Sequence, residues 1–221
     1  MKPTALLLLA TLSAAFAAET PANIAAKEGA CCQDKAAPAP DACCAAMAAQ
    51  PFSRTSIYQL DGKFTDDAGR PFALGELRGR VVVLDLFFAS CGYACPLTVT
   101  DMQAIRDRLP ADVRERAAFV LVSFDAARDT PAVLAQYRAQ RALDRQWVLL
   151  HGEDDAVREL AALVGVKYKQ EADGAFSHSN LLTILNPAGE IAHQRIGLSG
   201  GLDAVVLALT QAAQPPAAPS P

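Results

Sequence analysis

The chain is 221 residues long, with 20 Lys and Arg against 24 Asp and Glu, so it carries a formal charge of -4. That sign argues against a nucleic-acid binder, which needs a basic face for the phosphate backbone. With 52% hydrophobic and 20% charged residues the composition is globular, and the length fits one domain with appended segments.

Residues 1–17 hold one basic residue, Lys2, then an apolar run from Ala5, then Ala15-Phe16-Ala17, a small-x-small cleavage pattern before Ala18. The run falls short of the roughly 20 residues that span a bilayer. It reads as a cleavable secretory signal, and the chain as exported, periplasmic if its source is bacterial. Residues 18–50 are rich in Ala and almost without large apolar side chains. Such a segment cannot bury enough surface to offset the entropy of ordering it, and it reads as a flexible tether. The tether carries two Cys-Cys pairs, Cys31-Cys32 and Cys43-Cys44. Residues 214–221, rich in Pro and Ala, read as a disordered tail, which leaves 51–213 as the folded domain.

Within that domain Asp66-Asp67-Ala68-Gly69 marks the turn of a β-hairpin. Val81 to Phe88 and Ala118 to Phe124 are short β-branched and aromatic runs of the kind that form buried strands, and Trp147 to Leu150 is a shorter one. Leu181 to Leu185 and Ile191 to Ile196 flank Asn186-Pro187-Ala188-Gly189, a turn signature, and predict a hairpin. Four helices are predicted. The first follows Pro96, with Met102, Ile105 and Leu109 at helical spacing before Pro110 stops it. The second starts at Thr130-Pro131 and places Leu134 and Tyr137 on one face. The third carries Val157, Leu160, Ala161 and Val164 ahead of Gly165, a C-terminal cap, and the last carries Leu202, Val205, Val206 and Leu209. A βαβ unit joined to a ββα unit is the thioredoxin-like arrangement: an α/β fold whose central mixed sheet is flanked by helices, here preceded by an N-terminal β-hairpin.

Cys91 and Cys95 sit in ASCGYACPLT, on the turn between the first long strand and the helix beginning near Pro96. The free N–H groups and dipole of a helix N-terminus lower a thiol's pKa, which favours a nucleophile or a metal ligand. Three intervening residues let both sulfurs face one point, close enough for a disulfide or for two ligands on one ion. A structural disulfide is the plain alternative, because exported thiols oxidise unless a metal or a reductant holds them. Of His151, His178 and His193, His178 stands apart: it lies in DGAFSHSN, the loop entering the Leu181 strand, and in a thioredoxin-like sheet that loop abuts the first helix N-terminus. Two thiolates and an imidazole form a soft three-coordinate set suited to Cu(I) and, with an added ligand, to Cu(II).

Four stretches occur in order: DDAGRPFALGELRGRVVVLDLFF, CGYACP, VSFDAARDTP and SHSNLLTILNPAGEI. On these, from about Phe64 to Ile196, the chain resembles the SCO/SenC family of copper chaperones for cytochrome c oxidase assembly. The resemblance implies Cys91, Cys95 and His178 as copper ligands. It implies as partners a copper ion and a cytochrome c oxidase copper-site subunit or another copper chaperone, with membrane association only through partners or an uncleaved signal. Asp125 and Asp129 match acidic positions of the family and are assigned structural or partner-facing roles. Gly92 stands where the family often has proline, and Ser177 where an acidic residue often precedes the histidine; neither change removes a ligand.

An enzymatic alternative stays open beside this one. Asp85 lies inside the apolar strand six residues before Cys91, and a buried carboxylate is costly unless paired. Many thioredoxins carry a buried aspartate at that offset, where it assists proton transfer from the resolving cysteine. Cys91 and Cys95 would then be a redox-active pair in a thiol-disulfide oxidoreductase acting on cysteines of an oxidase subunit or copper chaperone. Against it stand the CxxxC spacing and the lack of proline between Glu171 and Asn180, where such enzymes usually place a cis-proline. For the tether cysteines, cross-bridging disulfides and a thiolate cluster that gathers Cu(I) are both open readings.

Overall fold

The computed structural model describes residues 51–172, 174–198 and 200–214. The expected signal, the Cys-bearing tether and residues 215–221 of the expected tail lie outside them.

The sheet grows outward from its most apolar strands. β3 (Val81–Phe87) and β4 (Ala117–Ser123) are buried at all seven positions and pair in parallel, from Val81 opposite Ala117 to Phe87 opposite Ser123. Continuous apolar runs are what a parallel strand covered on both faces requires. β5 (Trp147–Gly152) continues the parallel set beside β4. The hairpin of β1 (Phe64–Asp66) and β2 (Pro71–Phe72) adds antiparallel to β5, and the hairpin of β8 (Leu181–Leu185) and β9 (Ile191–Ile196) adds antiparallel to β3. The resulting order is β2-β1-β5-β4-β3-β8-β9. The helices are α1 (Ala94–Arg108), α2 (Ala111–Arg116), α3 (Pro131–Gln140), α4 (Asp154–Val164) and α5 (Leu202–Ala212). α1 and α5 pack on each other and on β3, and α3 lies on β5. This is the expected thioredoxin-like arrangement with its leading hairpin. No helix among the described residues is long and apolar enough to cross a membrane.

Local chemistry sets the boundaries. Thr130 Oγ1 accepts from the Val133 N–H to cap α3, and Gly165, at φ 78°, closes α4 in the left-handed conformation. Three features depart from the sequence expectation. α1 begins at Ala94, ahead of Pro96, because a proline in the first helical turn forfeits no intrahelical bond; Cys95 is thus helical, and only Cys91 lies on the turn. α2 follows Pro110 and is too short to display a helical period. Finally, β6 (Tyr168–Gln170) and β7 (Phe176–His178) form a separate two-stranded ribbon where a loop is predicted, since three-residue strands show no readable alternation.

Candidate metal centre

Cys91 lies in the β3–α1 loop at the mouth of α1. The N-cap residue, Tyr93, offers no side-chain cap to that helix. The Cys91 sulfur fills the role instead, accepting from the Cys95 N–H at 3.3 Å. Partial burial pushes the Cys91 thiol up, but hydrogen bonds from the backbone of Cys95, Tyr93 and Ala94 outweigh it, and the net pKa falls below the ordinary thiol value. Cys95 meets the opposite environment. It is 2% exposed, and burial drives its thiol well above the ordinary range despite a hydrogen bond from the Phe88 backbone. The two thiols are unbridged.

His178 is the last residue of β7, paired with Tyr168 across the ribbon, and not part of a loop. Its ring stands against Phe88 and Phe124, at centroid distances of 5.9 and 5.2 Å. Burial lowers its pKa below the usual imidazole value, which favours the neutral, metal-ready form. Nδ1 lies 3.3 Å from the Ser179 carbonyl oxygen. A carbonyl only accepts, so Nδ1 carries the proton and Nε2 keeps its lone pair, as in many histidine metal ligands.

The donor atoms of Cys91, Cys95 and His178 lie within 4.8 Å of one another, the one such group among the described residues. Two sulfurs and one imidazole nitrogen, with the thiol pKa of one sulfur lowered by backbone N–H groups, fit a soft ion of low coordination number. His151 and His193 do not join them: His151 Nδ1 meets the Asp129 carbonyl at 3.1 Å, and His193 sits on β9. Gly92 has open space around it, so the departure there is sterically free, and Ser177 Oγ donates to Glu171.

The neighbouring charges are more deeply built in than the sequence alone shows. Asp85 is 5% exposed, and burial raises its carboxyl to about 8 against the opposing pull of Arg195. Arg195 is itself buried, with Nη1 2.8 Å from Asp101 on α1 and 2.9 Å from the Gly200 carbonyl. Asp125 and Asp129 are also buried. Asp129 accepts from the Ala89 N–H at 2.7 Å and from Ser123 Oγ at 2.6 Å, while Asp125 pairs with Arg128. Sequence reasoning singled out these aspartates and passed over Arg128 and Arg195. No local signal marks Arg195, since Ile191–Ile196 reads IAHQRI and its burial follows no alternation.

The family model described as SCO1/SenC matches residues 53–199. Over 140 residues the chain is 31% identical to a Stutzerimonas stutzeri protein named "Putative copper-binding protein", covering 62% of this chain and 67% of that one. Among solved structures, Bradyrhizobium japonicum ScoI with copper bound superposes with a TM-score of 0.58 at 18% identity, over 68% of this chain and 96% of ScoI. BsSco, described as a member of the Sco family of cytochrome c oxidase assembly proteins with a disulfide switch, gives 0.59 at 22%, over 70% and 92%. At these identities the structural likenesses bear on the fold.

Proposed function

This chain belongs to the SCO1/SenC family, and on that premise we propose that it is an exported copper-binding protein that takes up copper through Cys91, Cys95 and His178 and delivers it to a cytochrome c oxidase copper site. The observation that carries the reading is the convergence of those three donors within 4.8 Å. Copper is the cargo, and each ligand has a distinct part in its transfer. Cys91, partly exposed and with its thiol pKa lowered by backbone hydrogen bonds, is the group an incoming ion or an acceptor thiol reaches first. Cys95 must surrender its proton to bind, so loading releases a proton. His178, neutral and half-buried, completes the set without adding charge. Export is supported by the signal-like residues 1–17, and the oxidase as recipient by the family resemblance and by the description of BsSco.

The test is Cu(I) competition titration of the reduced mature chain with Cys31, Cys32, Cys43 and Cys44 changed to Ser. One tightly held Cu(I) is expected, lost on Cys91→Ser and sharply weakened by His178→Ala. Retention of the parent affinity in both variants would remove the assignment.

The burial of Asp85 beside the cysteine pair favours a second reading, thiol-disulfide exchange. Cys91 thiolate would attack a disulfide of an oxidase subunit or chaperone, and Cys95 would resolve the mixed disulfide. Asp85, protonated near neutral pH, would first lose its proton to solvent and then take the one from Cys95, and the partner would leave as a dithiol, its second proton drawn from solvent. A copper-free exchange assay decides Asp85's part: an Asp85→Asn rate equal to the parent's removes it. The two readings exclude each other at any instant, since a Cys91–Cys95 disulfide leaves only His178 to hold copper.

A further inference from the structure

The β4–α3 turn touches both halves of the centre. On one side the Asp129 carboxylate accepts from the N–H of Ala89, two residues before Cys91, and from Ser123 Oγ. Ser123 Oγ in turn accepts from the Asp125 N–H at 3.0 Å, which locks the two aspartates into one frame. On the other side Asp125, 2% exposed, pairs with Arg128 Nε, and Arg128 Nη2 donates to the Gly174 carbonyl at 2.7 Å. Gly174 lies in the turn of the ribbon that ends in His178, and the guanidinium carbon stands 5.6 Å from the ring centre of Phe176 in β7.

We infer that Arg128 is a positioning residue for His178: anchored on buried Asp125, it grips the β6–β7 turn through the Gly174 carbonyl and fixes where the imidazole stands relative to the two sulfurs. The inference rests on the copper reading for its functional consequence. The ribbon needs such an anchor, because two strands of three residues are not stable alone. Aromatic rings also pack on the ribbon, Phe124 against Tyr168, Phe176 and His178 and Phe88 against Phe176 and His178, and apolar contact fixes direction less than a bonded fork does. A planar fork bonded at both ends is directional, and lysine does not reproduce it. An exposed arginine pair ordinarily contributes little. Here the acceptor is buried, so the pair is held in place by the cost of leaving Asp125 unpartnered.

The experiment uses the mature chain with its four tether cysteines changed to Ser, carrying Arg128→Gln, Arg128→Lys, His178→Ala, or Arg128→Lys with His178→Ala. In copper-free protein, hydrogen exchange at residues 168–178 is expected to accelerate in both Arg128 variants while β3 and β4 stay protected. Arg128→Lys keeps a cation for Asp125 and should retain the parent's urea midpoint, which separates positioning from stability. Cu(I) affinity should fall about tenfold in Arg128→Lys, the scale on which groups behind a ligand act. In the His178→Ala background the same change should cost nothing further. Additive losses in the double variant, or parent-like ribbon exchange in both Arg128 variants, would overturn the inference. An unchanged affinity in His178→Ala would instead overturn the copper reading, so the two failures are distinguishable.

Discussion

Cys91 and Cys95 are four residues apart yet meet opposite surroundings, three backbone N–H groups for one sulfur and buried apolar packing for the other. Limited alkylation of reduced, copper-free protein near neutral pH should therefore label Cys91 well ahead of Cys95, with Cys95 reacting only on unfolding; mass spectrometry showing equal rates would contradict the asymmetry. Asp85 yields a pH prediction with a definite sign. Its folded carboxyl, raised to about 8 by burial, keeps a proton that the unfolded chain releases above about pH 4. Between those limits the unfolded state binds fewer protons, so stability falls as pH rises, at about 1.4 kcal/mol per unit. Asp85→Asn lacks that dependence, and its urea midpoint should gain on the parent's between about pH 5 and about pH 8. Parallel profiles would show that the carboxyl is ionised in the folded protein.

Turns and caps make the elements, and two glycines show that the same backbone conformation carries different risk. Gly165, at φ 78°, ends α4, and a Cβ there would lie 4.0 Å from Leu181 Cδ2, in ordinary contact. Gly165→Ala should cost only the backbone strain, about 1–2 kcal/mol. Gly189, at φ 83° in the β8–β9 turn, leaves no room: a Cβ would stand 2.4 Å from the Tyr58 ring and 2.6 Å from Ser56 Oγ. Its carbonyl also accepts from the Ile57 N–H at 2.9 Å, so the clash would unseat the segment that buries Ile57 and Tyr58. Gly189→Ala should lower the urea midpoint more than twice as far as Gly165→Ala; equal losses would mean that the Tyr58 segment yields freely. The ribbon belongs to this scale too. It has too few residues to specify itself, and it exists where Phe124, Phe176 and Tyr168 pack together and Arg128 holds its turn.

Across the whole molecule, the donor set joins a loop after β3 to a ribbon that follows the entire parallel crossover. The centre therefore exists only when the fold is complete, and a ligand that binds it must stabilise the fold. With free Cu(I) at about one hundred times its dissociation constant, the reduced parent should gain about 2.7 kcal/mol, read as a shift in urea midpoint. The same protein with Cys91 and Cys95 joined in a disulfide should show no shift. A gain surviving in the disulfide form would put the ion somewhere other than this centre.

Much of this architecture was legible in the chain itself. β-branched runs, a Thr-Pro helix start, Gly165 at a helix end and the Asn186-to-Gly189 turn act over a few residues, so β3, β4, α3, α4 and the β8–β9 hairpin were predictable from local pattern. CGYACP and SHSN named all three candidate donors. Other features were settled only by packing between distant segments. Asp85 could have faced solvent at a strand end, and the covered sheet buries it beside Arg195. Sequence pattern puts His178 in a loop, whereas ring contacts and cross-strand pairing make it the end of a strand. No local pattern singles out Arg128, and its role appears only where the fold brings the Gly174 carbonyl to it across 46 residues of sequence. Periodicity and turn chemistry report each residue's own neighbourhood, whereas burial, pairing and donor convergence depend on which remote segment arrives there.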